Sequence, residues 1–378
     1  SRLGNGEGGA IRTLTRELYV ENSTFKDCYA PKGGAIQVAN TSATKTEIYG
    51  STFENCRAIT GTDQAGGAVK SPAPILIIGD YEYTNDNGER VVRHSLFKDC
   101  TAKTAGGVHQ TGSASGSTVT VTNASFENCV STGSGGGALN IGAANLSITG
   151  LEGVTTFKGC TASGEGGAVI HDNKTSETLT NVSFEGCEAG TSGGAAYLRA
   201  GTINITGGSV KNCTAKTQGG GLRLQGSSKT ITGCDFSNNT VTNTDGKGGA
   251  IHIEDNGLTF NGGTIDNCSA AYGGGIYKNN GALNFNAGVI KNCRATEAGG
   301  GIDNNNGALN FYAAADDAES RIDNCSARIG GGIYHHQSDI NLGKSGETSR
   351  GRIINCSASE SGGGLYINTG GTINVRNT

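Results

Sequence analysis

The sequence predicts an all-β fold: a right-handed parallel β-helix, or solenoid, of about 12–13 coils with three short strands per coil. Three observations predict it. A short pattern, F-x-x-C followed by G-G-A-I, recurs along the whole chain at a spacing typical of stacked repeats. The segments between recurrences alternate polar and apolar residues, and none carries a helical period. Finally, 378 residues with 65 Gly, 3 Pro, no Met and no Trp hold too few large side chains for an ordinary mixed core. Coils that bond to their neighbours need only a thin one.

The first element in each unit is F-x-x-C. Aligned on the cysteine it reads FKDC (Cys28), FENC (Cys56), FKDC (Cys100), FENC (Cys129), FKGC (Cys160), FEGC (Cys187), VKNC (Cys213), IDNC (Cys268), IKNC (Cys293), IDNC (Cys325) and IINC (Cys356). Asn239 of "FSNN" takes the column in one further unit, and Cys234 lies out of register. In a strand, residues three apart point to opposite faces, so Phe and Cys both face inward only if the chain bends between them. The residue before the cysteine is Asp, Asn or Gly in every unit, the types that tolerate a left-handed backbone. That column is a corner. Behind it the cysteines are expected to stack as a buried ladder of free thiols, because parallel Cβ vectors do not converge as a disulfide requires. No C-x-x-C pair or Cys/His cluster has ligand spacing, so neither a metal nor any other cofactor is expected.

The second element is G-G-A-I and its variants, from Gly8 to Gly362. Paired glycines make the second corner, and the following Ile, Val or Leu re-enters the core. The third is the alternating stretch, such as "TVTVTN" or "TINITG", read as a strand. The longest coil, between Cys56 and Cys100, carries an insertion at residues 71–96. There Asn87 and Gly88 mark a hairpin turn between "YEYT" and "RVVRH". An acidic stretch, Asp316 to Glu319, forms a shorter insertion. Residues 1–378 are expected to form one solenoid domain, a piece of a longer surface protein, because coils at both ends are uncapped.

The doubled motif resembles the polymorphic outer-membrane protein repeats, whose signatures are GGAI and FxxN, within the pectin-lyase-like class of β-helix surface proteins. The resemblance covers essentially the whole chain; cysteine stands where those repeats carry asparagine, except at Asn239. What it implies is a secreted or surface-displayed passenger that adheres to something.

Net charge of −4 and the lack of a basic face exclude a nucleic-acid role, and no stretch approaches the about 18 apolar residues of a membrane span. The outward position after the Ile, Val or Leu of each glycine block is the place to look for function. It reads Tyr197, Arg223, His252, Tyr277, Asp303, Tyr334 and Tyr366 in successive coils, after Gln37, Lys70, His109 and Asn140 in earlier ones. One carboxylate among seven polar and aromatic side chains suits stacking on sugars or a flat protein contact, not acid–base hydrolysis. Tyr81 and Tyr83 with Asn87 and Gly88 give a second candidate, on the inserted loop. The expected protein is therefore an extracellular adhesin or binding module without catalytic residues, contacting glycans or surface proteins of a host or neighbouring cell. A structural fibre segment with end-to-end self-association comes second. A polysaccharide lyase or hydrolase, using His252, Glu254 and Asp255, comes third.

Overall fold

The computed structural model describes residues 6–59, 63–151, 155–312, 320–343 and 351–376. The acidic insertion at 316–319 lies outside them. The strands stack in parallel as a β-solenoid of about twelve turns, without an α-helix among the described residues. None of those residues forms a helix long and apolar enough to cross a membrane. The chain divides into two compact units, residues 1–190 with 195–198, and residues 191–194 with 199–378.

A turn of the first unit runs through Ile36–Val38, Lys45–Tyr49, Thr52–Glu54 and Arg57–Ala58. The first three are the expected strands. The fourth, directly after the cysteine, is too short to show an alternation in sequence, yet it forms its own row: Ala58 pairs with Ala102, and Ala102 with Ser131. Register is kept from turn to turn, with Ile36 opposite Val69, Lys45 opposite Ile75 and Phe53 opposite Phe97.

Both corners have the predicted geometry. Before the cysteine position all twelve units have a positive φ, between 50° and 61°. The side chains there also bond from coil to coil: Asn55 Nδ2 donates to Asp27 Oδ1 at 2.6 Å, and Asn267 Nδ2 to Asn238 Oδ1 at 2.7 Å. At the glycine corner Gly33 has φ 56°, and a Cβ placed on Gly34 would lie 2.0 Å from the carbonyl oxygen of Gly67. Backbone touches backbone at that point, so no side chain fits.

All twelve cysteines are free thiols. In the first unit Cys100, Cys129 and Cys160 each donate to the carbonyl of the phenylalanine one coil back, Phe53, Phe97 and Phe126, at 3.5, 3.4 and 3.5 Å. Burial pushes the Cys129 and Cys160 thiols up, which keeps them protonated and unreactive. In the second unit Asn239 fills the same role, with Nδ2 donating to Val210 O at 2.8 Å and Oδ1 accepting the Cys213 N–H at 2.9 Å. Cysteine and asparagine interchange in this column because each offers a small donor to the same carbonyl. The off-register Cys234 is buried as well, and burial pushes its thiol up to about 12.

Phenylalanines fill the core as stacks at the coil spacing. In the first unit Phe25, Phe53, Phe97, Phe126, Phe157 and Phe184 stack with centroids 4.7–4.9 Å apart. In the second unit Phe260, Phe285 and Phe311 stack at 4.9 and 5.1 Å, but from the alternating strand. There the motif position is Ile265, Ile290 or Ile322. The two facing positions never both carry Phe: Ile148 lies in the turn of Phe157, and Phe260 in that of Ile265. A turn overfilled by two rings is thus avoided, as close packing demands.

A polar column also runs inside the second unit at the end of the glycine-block strand, with Lys278, Asn304 and His335 in register. The Lys278 ammonium donates to the carbonyls of Gly281 and Asn306, Asn304 Nδ2 to Gly307 O at 2.7 Å, and His335 Nε2 to Ser338 O at 2.9 Å. Each fixes the loop that follows it. Without a carboxylate partner, burial pulls Lys278 down to about 7.

Candidate functional site

The glycine corner places two outward columns side by side. One is the expected strip: Arg223, His252, Tyr277, Asp303, Tyr334 and Tyr366 are direct register partners in the second unit. The other is the residue just before the glycines, Gln218, Lys247, Tyr272, Ala298 and Ile329, which also pair coil to coil. A tight bend between them makes the side chains converge into a groove. Its cavity measures about 480 Å³ and is lined by Lys247, Tyr272, Tyr277, Asp303, Arg328, Tyr334 and His336, among others.

The strip is therefore not the open solvent face that the sequence suggests. His252, Tyr277 and Asp303 are only 1%, 6% and 3% exposed, while Arg223, Tyr334 and Tyr366 are half-buried. The neighbouring column covers them. Tyr197 belongs to the first unit and is buried, as is Gln37 further back. His109, also in the first unit, is pulled down to about 4 by burial and holds no charge at neutral pH.

Within the groove the charges are unevenly served. Lys247 Nζ lies 5.0 Å from the centroid of the Tyr277 ring and makes no ion pair among the described residues. Arg328 is engaged, by Glu297 at 2.9 Å and Glu360 at 2.6 Å. The Asp303 carboxyl has no hydrogen-bond partner among the described residues. Burial pushes it up to about 8, with Lys247 pulling the other way. It is thus mainly protonated at neutral pH. Tyr334 stacks on Tyr366, ring centroids 5.6 Å apart and planes 5° from parallel, forming a flat aromatic pair.

The residues of the enzymatic alternative do not form one site. His252 is pulled down to about 3 by burial, with Arg223 and Lys247 adding to the effect. Glu254 Oε2 stands 3.4 Å from His252 Nε2 and 3.5 Å from Arg223 Nη2. Asp255 turns away, its Oδ1 accepting from Gly226 N–H at 2.8 Å and lying 3.3 Å from Lys229 Nζ, and so clamps a loop. His335 and His336 diverge as their adjacency requires: His335 points into the polar column, and His336 sits 3.4 Å from the Tyr334 hydroxyl. No group of three or more potential metal ligands occurs among the described residues.

The inserted hairpin is present in the first unit, narrower than the expected 71–96. Tyr81–Thr84 pairs antiparallel with Arg90–Arg93, while Ile75–Gly79 belongs to the solenoid itself. The chain reverses at Asn85 to Gly88, where Gly88 N–H donates to Asn85 O at 2.9 Å and Gly88 has φ 79°. The tip is exposed. The base lies down on the solenoid: Tyr81 packs against Gly50, and Arg93 Nη1 donates to Asn22 Oδ1 at 2.6 Å. Arg93 also covers Tyr83, 5.5 Å from its ring centroid, so that this tyrosine is not an open stacking surface.

Sequence reasoning missed Lys247, Tyr272, Arg328 and His336. The signal for the first two was in view, since each directly precedes a glycine block. Against protein-family models, curated proteins and solved structures, the chain has no match.

Proposed function

We propose that this chain is an extracellular, surface-displayed binding module that holds glycans in the groove of its second unit and performs no chemistry on them. The observation that carries this reading is the in-register run of Tyr277, Asp303 and Tyr334 along a groove walled by Lys247 and Tyr272, continued by Tyr366 stacked on Tyr334. Repetition at the coil spacing suits an extended, repetitive ligand, and paired tyrosine rings suit the apolar faces of sugars. The resemblance to surface-protein repeats supports the same setting. The alternative catalytic set lacks a convergent pair of carboxylates, because Asp255 is committed to Lys229.

The test is incubation with a panel of polysaccharides, reading both retained protein and newly formed reducing or unsaturated ends. Retention without new ends is expected, weakened about fivefold or more by Tyr334→Ala. New ends would replace this reading with a lyase or hydrolase. Absence of retention across the panel would favour a scaffold segment of a surface fibre.

A further inference from the structure

We propose that the groove selects sugars bearing a carboxylate, which is received jointly by the Lys247 ammonium and by the Asp303 carboxyl acting as hydrogen-bond donor. This rests on the glycan-binding reading above and names its ligand class.

The charge of Lys247 points to an anion, and Asp303 in the same groove, unpartnered among the described residues, points to a ligand that hydrogen-bonds. Lys247 is the one cation lining the groove whose charge is not already taken among the described residues, since Arg328 is held by Glu297 and Glu360. The Tyr277 ring holds the lysine over the floor without neutralising it. The second feature is Asp303, 3% exposed, unpartnered among the described residues and facing the cavity between Tyr277 and Tyr334. A largely desolvated polar group without a protein partner is poorly served, and a ligand that bonds to it improves on that. With its carboxyl raised to about 8, Asp303 offers an O–H at neutral pH and not a repelling charge. An acid O–H donating to a ligand carboxylate oxygen, beside an ammonium, is a charge-assisted pair.

The other groups facing Asp303 are accounted for. Tyr277 and Tyr334 flank it on the adjacent strands, and burial raises both phenols, so they stay neutral donors over the same range. Tyr272 stands on the opposite wall, Asp245 lies exposed at the rim, where water screens it, and His336 accepts from Asn368 Nδ2 at 2.8 Å. The sign of the pH effect follows. The protonated form of Asp303 binds, so affinity for a sugar carboxylate is full below about pH 8 and falls by about tenfold per pH unit above it.

The experiment measures affinity of the full chain for hyaluronan oligosaccharides and for sialyllactose, each against its carboxyl methyl ester, and for dextran sulfate, from pH 6 to 10. The acids are expected to bind about tenfold or more tighter than their esters at pH 7, and Lys247→Gln to remove that preference. Asp303→Asn is the key variant. It keeps a donor and nearly the same shape, so binding should stay within about threefold at pH 7 while the decline above pH 8 disappears. His336→Asn should leave that decline in place. Which acid binds tells a uronate from a sialate source. Equal binding of acid and ester would overturn the selectivity while leaving the glycan reading intact. Dextran sulfate binding as tightly as the carboxylates would also overturn it, by reducing the site to a bare ammonium. Failure of every glycan to bind, acids and esters alike, would remove the glycan reading as well.

Discussion

At Asn267 the backbone sits at φ 52° in the left-handed region, one of twelve such corners, and its side chain donates to Asn238 Oδ1 at 2.7 Å. Two separable energies therefore meet in one residue. A β-carbon residue without asparagine's local hydrogen bonding loses about 1–2 kcal/mol in that backbone region, whereas glycine loses none of it. The exposed ladder bond adds about 0.5–1 kcal/mol. Asn267→Ala should thus lower stability by about 2 kcal/mol, read as a drop in the urea midpoint at constant slope. Asn267→Gly should cost less than half as much. Equal losses for the two would mean that the side-chain ladder, not the backbone, makes the corner. This column was fully legible in the sequence, because restriction to Asp, Asn and Gly in every coil is what a left-handed backbone selects and what burial or strand pairing does not. The burial of Asp303 was not legible. It depends on what stands on the far side of the glycine bend, and a single column says nothing of its neighbour.

At the level of elements, the hairpin is the one piece among the described residues that pairs only with itself: Tyr81–Thr84 and Arg90–Arg93 form a separate two-stranded sheet. Its neck is closed independently, by His94 Nδ1 to Asp80 Oδ1 at 2.7 Å and by Ser95 Oγ donating to Gly79 O at 2.8 Å. Replacing residues 81–93 with two glycines should therefore leave the solenoid strands on either side in register. The loss of the Arg93–Asn22 bond and of Tyr81 packing is partly offset by a shorter loop, so the first unit should change by no more than about 2 kcal/mol. Glycan retention should be unchanged in the same variant. Lost retention with an intact melting transition would move the binding site from the groove to Tyr81 and Tyr83. Three strands per coil were legible from alternation and spacing. The fourth row was hidden for a physical reason in the first unit, where two residues such as Thr101–Ala102 cannot display a period and their pairing is created by stacking alone; in the second unit it lengthens, as in Arg294–Ala298.

For the molecule as a whole, a solenoid makes stability a sum of coils and of contacts between adjacent coils. The phenylalanine stack is the main apolar link in the first unit, with Phe126 fully buried between Phe97 and Phe157 at 4.8 and 4.9 Å. The Ile, Val or Leu on the facing strand cannot fill a gap there, since Val121 already sits at 0% exposure in its own place. Phe126→Ala should leave a cavity and cost about 3–5 kcal/mol. Where that loss is felt distinguishes two pictures of the array. If coils couple only to neighbours, amide exchange should accelerate most at the strands Leu96–Lys98, Ser125–Glu127 and Thr156–Lys158, and fade by Thr24–Lys26. Uniform acceleration from Thr24 to Glu185 would show instead that the first unit opens as one block. The same substitution separates fold from function: the groove is built from the second unit's own strands and its own Phe260–Phe285–Phe311 stack. Under neighbour-only coupling, glycan retention by the Phe126→Ala protein should equal that of the parent at temperatures where the exchange of the first unit is already fast.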